Sequence, residues 1–355
     1  MVTRPACLVT GIVSDYRREP FRALAESQDV EVIAWEQAGP PVEGLTVHRT
    51  TQAGAVRLAG SGRYRAVISG LGGRLALPGS YLAARARGVP FVLWATIWSH
   101  PRTPAHALSL LPTRALYRRA DAVATYGPHV SDYVRQYRMR DGVFEAPQAV
   151  DADLFAAPVP DEERRAVRQR LGATGDAPLV LFVGRLEREK GLEVLLEAWR
   201  LARLGEGAVL ALAGEGPLGD RAEGPGVRVL GYVPRLQLPA LYAAADVLVL
   251  PSVRTATFVE PWGLVVNEAM HQGTPVIASD AVGAVAGGLV RDGRNGLVAP
   301  AGEPGALATL LEAIGMNPEL RARLGAAARE DVSPYTAWAW SQGMARALAA
   351  AGAGR

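Results

Sequence analysis

Residues 182–191 read FVGRLEREKG, and this stretch decides how the chain is interpreted. An apolar strand runs into Gly184, and a helix is predicted to begin near Gly191. Two cations, Arg185 and Lys190, lie between the glycines. Lys190 is the single lysine among 38 basic residues, so its position in this loop is notable. Such a strand–loop–helix junction suits a diphosphate, because a helix start offers free N–H groups and a partial positive charge.

The loop also has a plain structural interpretation. Arg185 can pair on the surface with Glu187 or Glu189. As part of a ligand site, Arg185 would place a forked guanidinium on two phosphate oxygens, whereas Lys190 would act as a compact point charge. The solitary lysine favours the ligand site over the surface pairing.

A second block, EPWGLVVNEAM, spans Glu260–Met270 and carries two carboxylates. A helix is predicted from about Gly263, which puts Glu260 in the preceding loop and Glu268 about one and a half turns inside the helix. A helix carboxylate can accept both hydrogens of a ribose diol, a loop carboxylate can bind sugar hydroxyls, and the amides of Gly263 and Leu264 can hold phosphate. The alternative is a helix-start charge for Glu260 and an exposed Glu268, but the apolar neighbours of Glu268 indicate a buried helix.

Short apolar runs alternate with helical patterns along the whole chain. Near-continuous apolar strands are typical of parallel sheets that are covered on both faces. Strands are predicted at 6–13, 30–35, 45–49, 66–69, 91–96, 122–125 and 143–146, and again at 179–183, 209–213, 227–230, 247–250, 275–278 and 296–298.

A polar stretch with two prolines, Asp151–Asp176, interrupts this alternation and predicts an interdomain connection with one exposed helix. The fold class predicted is α/β, with two Rossmann-like doubly wound domains, residues 1–155 and 156–333, facing each other across a cleft. Helix 334–350 is expected to pack back on the first domain, because Trp338 and Trp340 favour burial.

Together these elements resemble the family 4 glycosyltransferases, which have the GT-B fold. The resemblance covers Leu179 to about Leu307 in a series of ordered motifs: GRLEREKG (184–191), LAGEGP (212–217), GYVP (231–234), LYAAAD (241–246), PS (251–252), EPWGLVVNEAM (260–270), GTPVIASD (273–280) and DGRNG (292–296). It implies that Arg185 and Lys190 contact the donor diphosphate, that Glu260 contacts the donor sugar, and that Glu268 contacts the ribose.

The resemblance further implies a nucleotide diphosphate-sugar donor, retention of the anomeric configuration, and no need for a metal or another cofactor. The donor-binding residues are then expected to be Gly11, Gly184, Arg185, Lys190, Gly214, Tyr232, Val233, Pro234, Glu260, Trp262, Gly263, Leu264, Val265 and Glu268.

The first half resembles the family less closely. Only Gly11 can be carried over from the Gly-Gly pair that members often have after the first strand. His100 is the candidate for the histidine that many members place near the reacting sugar. Trp98, however, occupies the sequence position, after the preceding strand, at which that histidine would be expected. The alternative for His100 is a loop or capping residue. The catalytic set is expected to be His100, Arg185, Lys190 and Glu260.

Two motifs are set aside. Residues 214–219 fit GxGxxG, but the prolines and glycines that follow leave no room for the helix of a dinucleotide site, so hydride transfer is rejected. Asp151-Ala152-Asp153 looks like the metal-binding DxD of the other major glycosyltransferase fold, but it lies in the interdomain connection and is interpreted as structural.

Composition limits the location and the partners that can be expected for this protein. The single cysteine, Cys7, cannot form an internal disulfide, and no apolar run reaches the ~18 residues that span a bilayer, so a cytoplasmic protein is expected. The first apolar run is interpreted as a strand rather than a signal peptide. Residues 1–150 carry 18 Arg and 11 acidic side chains, a net charge of +7, which suits an anionic acceptor, the inner face of a membrane, or ordinary solvated charge. Nucleic acid is not expected as a partner, because no motif for it is found.

The sequence therefore predicts a hexosyltransferase that uses a glycan, glycoside or lipid-linked hydroxyl acceptor, as in polysaccharide biosynthesis. The alternatives are a nucleotide-sugar epimerase or hydrolase of the same fold, and a non-catalytic nucleotide-sugar-binding subunit. The nucleotide base is expected to contact the backbone of residues 232–234. Because main-chain contacts do not depend on side chains, the sequence does not reveal which base is bound.

Overall fold

The computed structural model describes residues 4–37 and 40–353. Backbone contacts divide the chain into two compact units: unit 1 is the chain up to Asp151 together with the segment from Tyr335, and unit 2 is Ala152–Pro334. The strands are β1 (Ala6–Ile12), β2 (Val30–Gln37), β3 (Val47–Arg49), β4 (Val67–Gly70), β5 (Phe91–Ala95), β6 (Ala122–Thr125), β7 (Val143–Glu145), β8 (Leu179–Val183), β9 (Val209–Ala213), β10 (Val227–Gly231), β11 (Val247–Leu250), β12 (Val276–Ser279) and β13 (Gly296–Ala299).

The helices follow the same chain order. They are α1 (Arg18–Gln28), α2 (Gln52–Ala59), α3 (Ala76–Arg87), α4 (Pro104–Arg119), α5 (Pro128–Arg135), α6 (Ala152–Phe155), α7 (Asp161–Leu171), α8 (Leu192–Leu201), α9 (Leu238–Ala244), α10 (Leu264–His271), α11 (Gly283–Ala286), α12 (Pro304–Gly315), α13 (Pro318–Val332) and α14 (Ala337–Ala353).

Unit 1 is built on a parallel sheet in the order β3-β2-β1-β4-β5-β6-β7. Side chains of β1 alternate between two cores: Ala6 and Leu8 pack in the core that includes residues of α1 and α14, whereas Cys7 and Val9 pack with residues of α2, α3 and α5. Both faces of the sheet are therefore covered, which explains why its strands are near-continuous apolar runs.

Helix α14 packs against α1 within unit 1. Trp340 is fully buried, with its ring centroid 5.6 Å from that of Phe21 and 5.5 Å from that of Trp94. Trp338 is 61% exposed, so the expectation that it would be buried is wrong. Two residues along a helix correspond to a rotation of about 200°, which puts Trp338 on the side opposite Trp340.

Unit 2 contains a parallel sheet in the order β10-β9-β8-β11-β12-β13. Strands β9 and β10 are added on one side of β8, and strands β11, β12 and β13 are then added on its other side. The switch point lies between β8 and β11, and the corresponding point of unit 1 lies between β1 and β4. Open α/β sheets bind ligands outside the carboxyl ends of the strands at such points. The fold is the α/β arrangement of two Rossmann-like units that the sequence predicts.

The two motifs set aside have structural explanations. Gly214–Gly219 is followed by a three-residue 3-10 turn, Gly219–Arg221, rather than by the long helix of a dinucleotide site. Asp153 lies in the short helix α6, next to the junction of the two units.

Candidate functional site

Three loops of unit 2 meet at the carboxyl ends of β9, β8 and β11. A Cβ added to Gly214 would lie 1.9 Å from the carbonyl oxygen of Gly184, so the loops after β8 and β9 touch through their backbones. A Cβ added to Gly191, whose φ is +75°, would lie 1.9 Å from the carbonyl oxygen of Pro251, so the loop after β8 also packs on the loop after β11. Glycine at these positions allows the loops to converge.

Lys190 ends a 3-10 turn, Arg188–Lys190, and its ammonium points to the loop after β11. Its Nζ lies 2.5 Å from Oε2 of Glu260, in an ion pair whose side chains are 16% and 7% exposed. The Oγ of Ser252 donates to the same carboxylate oxygen at 3.1 Å, and the Phe258 ring centroid lies 5.1 Å from Nζ. Two residues proposed for different parts of one donor are therefore in direct contact.

Glu260 is held by its backbone as well as by its side chain. Its carbonyl oxygen accepts a hydrogen bond from the Gly283 N–H at 3.0 Å, which ties the loop after β11 to the start of α11. Three residues later Gly263, with φ +93°, is the N-cap of α10, and an added Cβ there would lie 2.5 Å from the Leu250 side chain. The backbone of Glu260 is consequently tied to α11, and the start of α10 packs closely on β11.

Glu268 lies inside α10 and is 9% exposed. Its Oε2 accepts a hydrogen bond from the Tyr242 hydroxyl at 2.6 Å. Burial raises the pKa of Glu268 to about 7, against the opposing effects of the Tyr242 hydrogen bond and the Arg235 charge. Glu268 is buried, as its apolar neighbours indicate, and the exposed alternative is wrong.

Arg185 behaves differently from Lys190. Its side chain is 58% exposed and pairs with Glu187 at 2.6 Å and Glu189 at 2.8 Å. This is the surface pairing that the sequence left open. The guanidinium nevertheless lies in the same loop as Lys190, five residues before it.

The other predicted donor residues occupy different positions around this edge. Tyr232, Val233 and Pro234 follow β10, and Tyr232 is 72% exposed. Trp262 is buried, and its Nε1 donates to Oδ1 of Asn267 at 2.7 Å. Leu264 and Val265 form the half-buried first turn of α10.

Gly11 and His100 of unit 1 line separate cavities. Gly11 lies at the end of β1 and lines a cavity of about 540 Å³ together with residues 70–73. His100 lines a cavity of about 670 Å³ beside α4, and its Nε2 lies 2.9 Å from the carbonyl oxygen of His106. The ring at the sequence offset expected for a family histidine, Trp98, packs edge-on against His129 with centroids 5.4 Å apart.

Sequence reasoning did not assign Ser252 or Tyr242 a contact with the two carboxylates. Both lie in motifs that carry the resemblance, but their pairing with Glu260 and Glu268 depends on the fold. Among residues 4–37 and 40–353, no three His, Cys, Asp or Glu side chains gather in a group that could hold a metal ion. Over the same ranges, no helix combines the length and apolar character needed to cross a bilayer.

A family model described as glycosyl transferases group 1 matches residues 163–331, which lie within unit 2. Alpha-D-kanosaminyltransferase of Streptomyces kanamyceticus is 30% identical over 286 residues, which cover 74% of this chain and 69% of that protein. The chain belongs to the group 1 glycosyl transferases. The resemblance noted in the sequence is thereby confirmed.

Other group 1 relatives match over shorter regions. A D-inositol 3-phosphate glycosyltransferase of Xylanimonas cellulosilytica is 39% identical over 225 residues, 58% of this chain. The alignment spans 51% of that relative's length. The structure of the Anabaena protein HepE in complex with UDP and glucose matches 98% of this chain and 99% of its own, with a TM-score of 0.78 and 20% identity. Its likeness confirms that this group 1 glycosyl transferase has the GT-B type of fold.

Proposed function

We propose that this group 1 glycosyl transferase is a retaining, metal-independent hexosyltransferase that binds a nucleotide diphosphate-sugar in unit 2. The observation that carries the proposal is the partly buried ion pair of Lys190 and Glu260 at the β8–β11 switch point. It lies within the region that the family model matches. The complex of HepE with UDP and glucose supports a donor of this class.

The diphosphate is proposed to bind at Lys190 and at the start of α10. Lys190 supplies a partly buried positive charge, and the N–H groups of Gly263, Leu264 and Val265 lie at the positive end of the helix dipole. Both features stabilise the negative charge that develops on the departing diphosphate, and they require no reorganisation when the bond breaks. Arg185 joins them when it leaves its two glutamates. These cations are proposed to act without a metal or another cofactor.

The two carboxylates are proposed to bind the sugars at either end of the donor. Glu260 contacts hydroxyls of the transferred sugar next to the phosphate subsite, because its carboxylate already touches Lys190. Glu268 accepts hydrogen bonds from the ribose, and the hydrogen bond from the Tyr242 hydroxyl orients its carboxylate. The base lies against the backbone of residues 232–234.

Retention is proposed to follow from attack on the leaving-group face. The bond between the anomeric carbon and the phosphate oxygen breaks, the acceptor oxygen bonds to the same carbon, and the acceptor proton passes to a phosphate oxygen. The acceptor is a hydroxyl of a glycan, glycoside or lipid-linked precursor that binds unit 1. His100 stays a predicted contributor. A cytoplasmic location, with peripheral contact at the inner face of the membrane, belongs to the same proposal.

A charge-deletion experiment tests the proposal. Lys190→Met is expected to lower turnover by about 10²-fold or more, by analogy with the loss of one preorganised donor to a developing anion. Arg188→Met is the matched control, since it removes the same charge from the same turn, at a side chain that is exposed. Near-normal turnover in Lys190→Met would refute the assignment.

Donor identity and reaction type are tested with the wild-type chain. Thermal shifts with UDP, GDP, ADP and TDP identify the nucleotide, and products are then analysed with and without candidate acceptors. Retention predicts that the product and the donor share the same anomeric configuration, which the NMR coupling of the anomeric proton reports. Free sugar or an epimer formed without acceptor would indicate a hydrolase or epimerase. Donor binding without turnover across many acceptors would indicate a non-catalytic subunit.

A further inference from the structure

Arg17 is a buried cation of unit 1 to which the proposed function assigns no role. It lies in the turn between β1 and α1 and is 5% exposed. Its Nη2 donates to the Tyr126 hydroxyl at 2.5 Å, and its Nη1 is buried without a hydrogen-bond partner. Among the described residues, no ion pair includes Arg17.

Aromatic rings surround this guanidinium. Its Cζ lies 4.6 Å from the ring centroid of Trp94, 5.1 Å from that of Tyr16 and 5.2 Å from that of Tyr126. Ring faces attract a cation but do not neutralise it. Burial raises the pKa of Tyr126, so its hydroxyl stays protonated and supplies no countercharge. Burying a charge without a countercharge costs folding free energy, and this guanidinium also has an N–H donor without an acceptor.

Arg17 lines the cavity of about 540 Å³ at the carboxyl ends of the strands of unit 1. Trp94 and Trp35 line the same cavity, and the indole N–H of each is buried without an acceptor. Three residues of the lining, Arg17 included, therefore carry N–H groups that lack an acceptor, and the cavity volume exceeds that of a single phosphate group. A guanidinium fork matches the paired oxygens of a phosphate or a carboxylate.

The acidic side chain on the described lining of this cavity is Glu36, which is exposed and makes no ion pair with another described residue. Its carboxylate lies at the end of β2, 3.5 Å from the position of a Cβ added to Gly11. A carboxylate at this position repels a small free anion and accepts hydrogen bonds from hydroxyl groups. The cavity therefore suits an anionic group carried on a polyol better than a free anion.

We infer that the acceptor of this enzyme is a hydroxyl compound bearing a phosphate or carboxylate group, and that Arg17 recognises this group in the unit 1 cavity. The inference rests on the proposed transferase function and names its acceptor class. It separates two anion sites: Lys190 serves the donor in unit 2, and Arg17 serves the acceptor in unit 1.

The test measures thermal shifts of the full chain at constant ionic strength in the Lys190→Met background, which removes the donor-site cation. The probes are glucose 6-phosphate, glucuronate, glucose and inorganic phosphate. The two anionic sugars are expected to raise Tm by roughly 2–5 °C at ten times their Kd. At equal concentrations, glucose is expected to have no effect, and inorganic phosphate a smaller one than glucose 6-phosphate. Titration of glucose 6-phosphate and glucuronate gives their two Kd values, and the lower Kd tells a phosphate from a carboxylate.

Variants assign the response to Arg17. Arg17→Met is expected to abolish it, whereas Arg22→Met retains it, because Arg22 lies on α1, just after the turn that carries Arg17, and pairs with Glu19 and Glu26 outside the cavity. Glu36→Gln is expected to strengthen the response to inorganic phosphate. A response that persists in Arg17→Met would overturn the inference.

A second measurement uses wild-type protein, so its result does not depend on whether a variant folds. Glucose 6-phosphate and the nucleoside diphosphate found in the donor screen should bind together, with additive shifts. Displacement of one by the other, or no response to either anionic sugar, would overturn the inference. The donor proposal fails separately, if Lys190→Met leaves the response to nucleoside diphosphates unchanged.

Discussion

The buried carboxyl of Glu268 predicts a specific dependence of stability on pH. Burial raises its pKa from a usual value of 4.5 to about 7. Between these pH values the folded state holds a proton that the unfolded state releases. The contribution is therefore fully present below about pH 4.5 and is lost as pH rises through about 7. A shift of this size corresponds to roughly 3 kcal/mol of unfolding free energy.

The perturbation is Glu268→Gln, which keeps an oxygen to accept from Tyr242 and removes the titration. We expect the free energy of unfolding of this variant, relative to the wild type, to increase by roughly 3 kcal/mol between pH 4.5 and pH 8. Tyr242→Phe removes a hydrogen bond that lowers the pKa, so it should move the loss of stability to higher pH.

The assay is urea denaturation followed by circular dichroism from pH 4.5 to pH 8, with the transitions of the two units fitted separately. Glu303→Gln is the control, since Glu303 is an exposed carboxyl of the same unit whose side chain caps no helix. Parallel pH profiles for the wild type and Glu268→Gln would refute the reasoning, because they would mean that Glu268 titrates alike in the folded and unfolded chains.

Two further predictions concern packing. Gly191→Ala should lower the free energy of unfolding by about 2 kcal/mol or more, because its Cβ would lie 1.9 Å from the Pro251 carbonyl oxygen at a φ of +75°. Gly175→Ala, at a positive φ with open space around it, should cost about 1 kcal/mol in the same chemical denaturation, and equal losses would argue against the close approach. Trp340→Ala should cost about 3–5 kcal/mol of unit 1 stability and Trp338→Ala about 0.5 kcal/mol or less, and thermal melts that rank the two in the opposite order would contradict the packing of α14.

The strands could be predicted from the sequence because burial on both faces leaves a simple pattern. All five residues of β8 are buried, and its observed bounds are the predicted ones. Helix α2 was not predicted, since its alternation of Ala and Gly gives little helical periodicity and its start depends on Thr51 accepting from the Gly54 N–H. Trp338 was misassigned because a tryptophan's preference for burial was counted without its position around the helix.

The residues of the candidate site could be predicted from the sequence, but the contacts between them could not. Both Lys190 and Glu260 stand in motifs, yet they are 70 residues apart, and only the pairing of β8 with β11 brings the loops that follow these strands together. Arg17 had no sequence signal at all. It is one of 37 arginines, and its burial beneath three aromatic rings depends on where β5 and β6 end.

The contact between Lys190 and Glu260 bears on how the proposed donor would bind. Without ligand, each charge neutralises the other in a site where little water reaches, and Ser252 holds the same carboxylate oxygen. A diphosphate brings more negative charge to Lys190 than one carboxylate does, so it weakens the hold of the ammonium on Glu260. The freed carboxylate oxygen then accepts from hydroxyls of the sugar that the diphosphate carries. On the proposed function, phosphate binding and sugar binding are therefore coupled through one ion pair, and a nucleoside diphosphate without its sugar would lack the hydroxyls that replace Lys190 at Glu260.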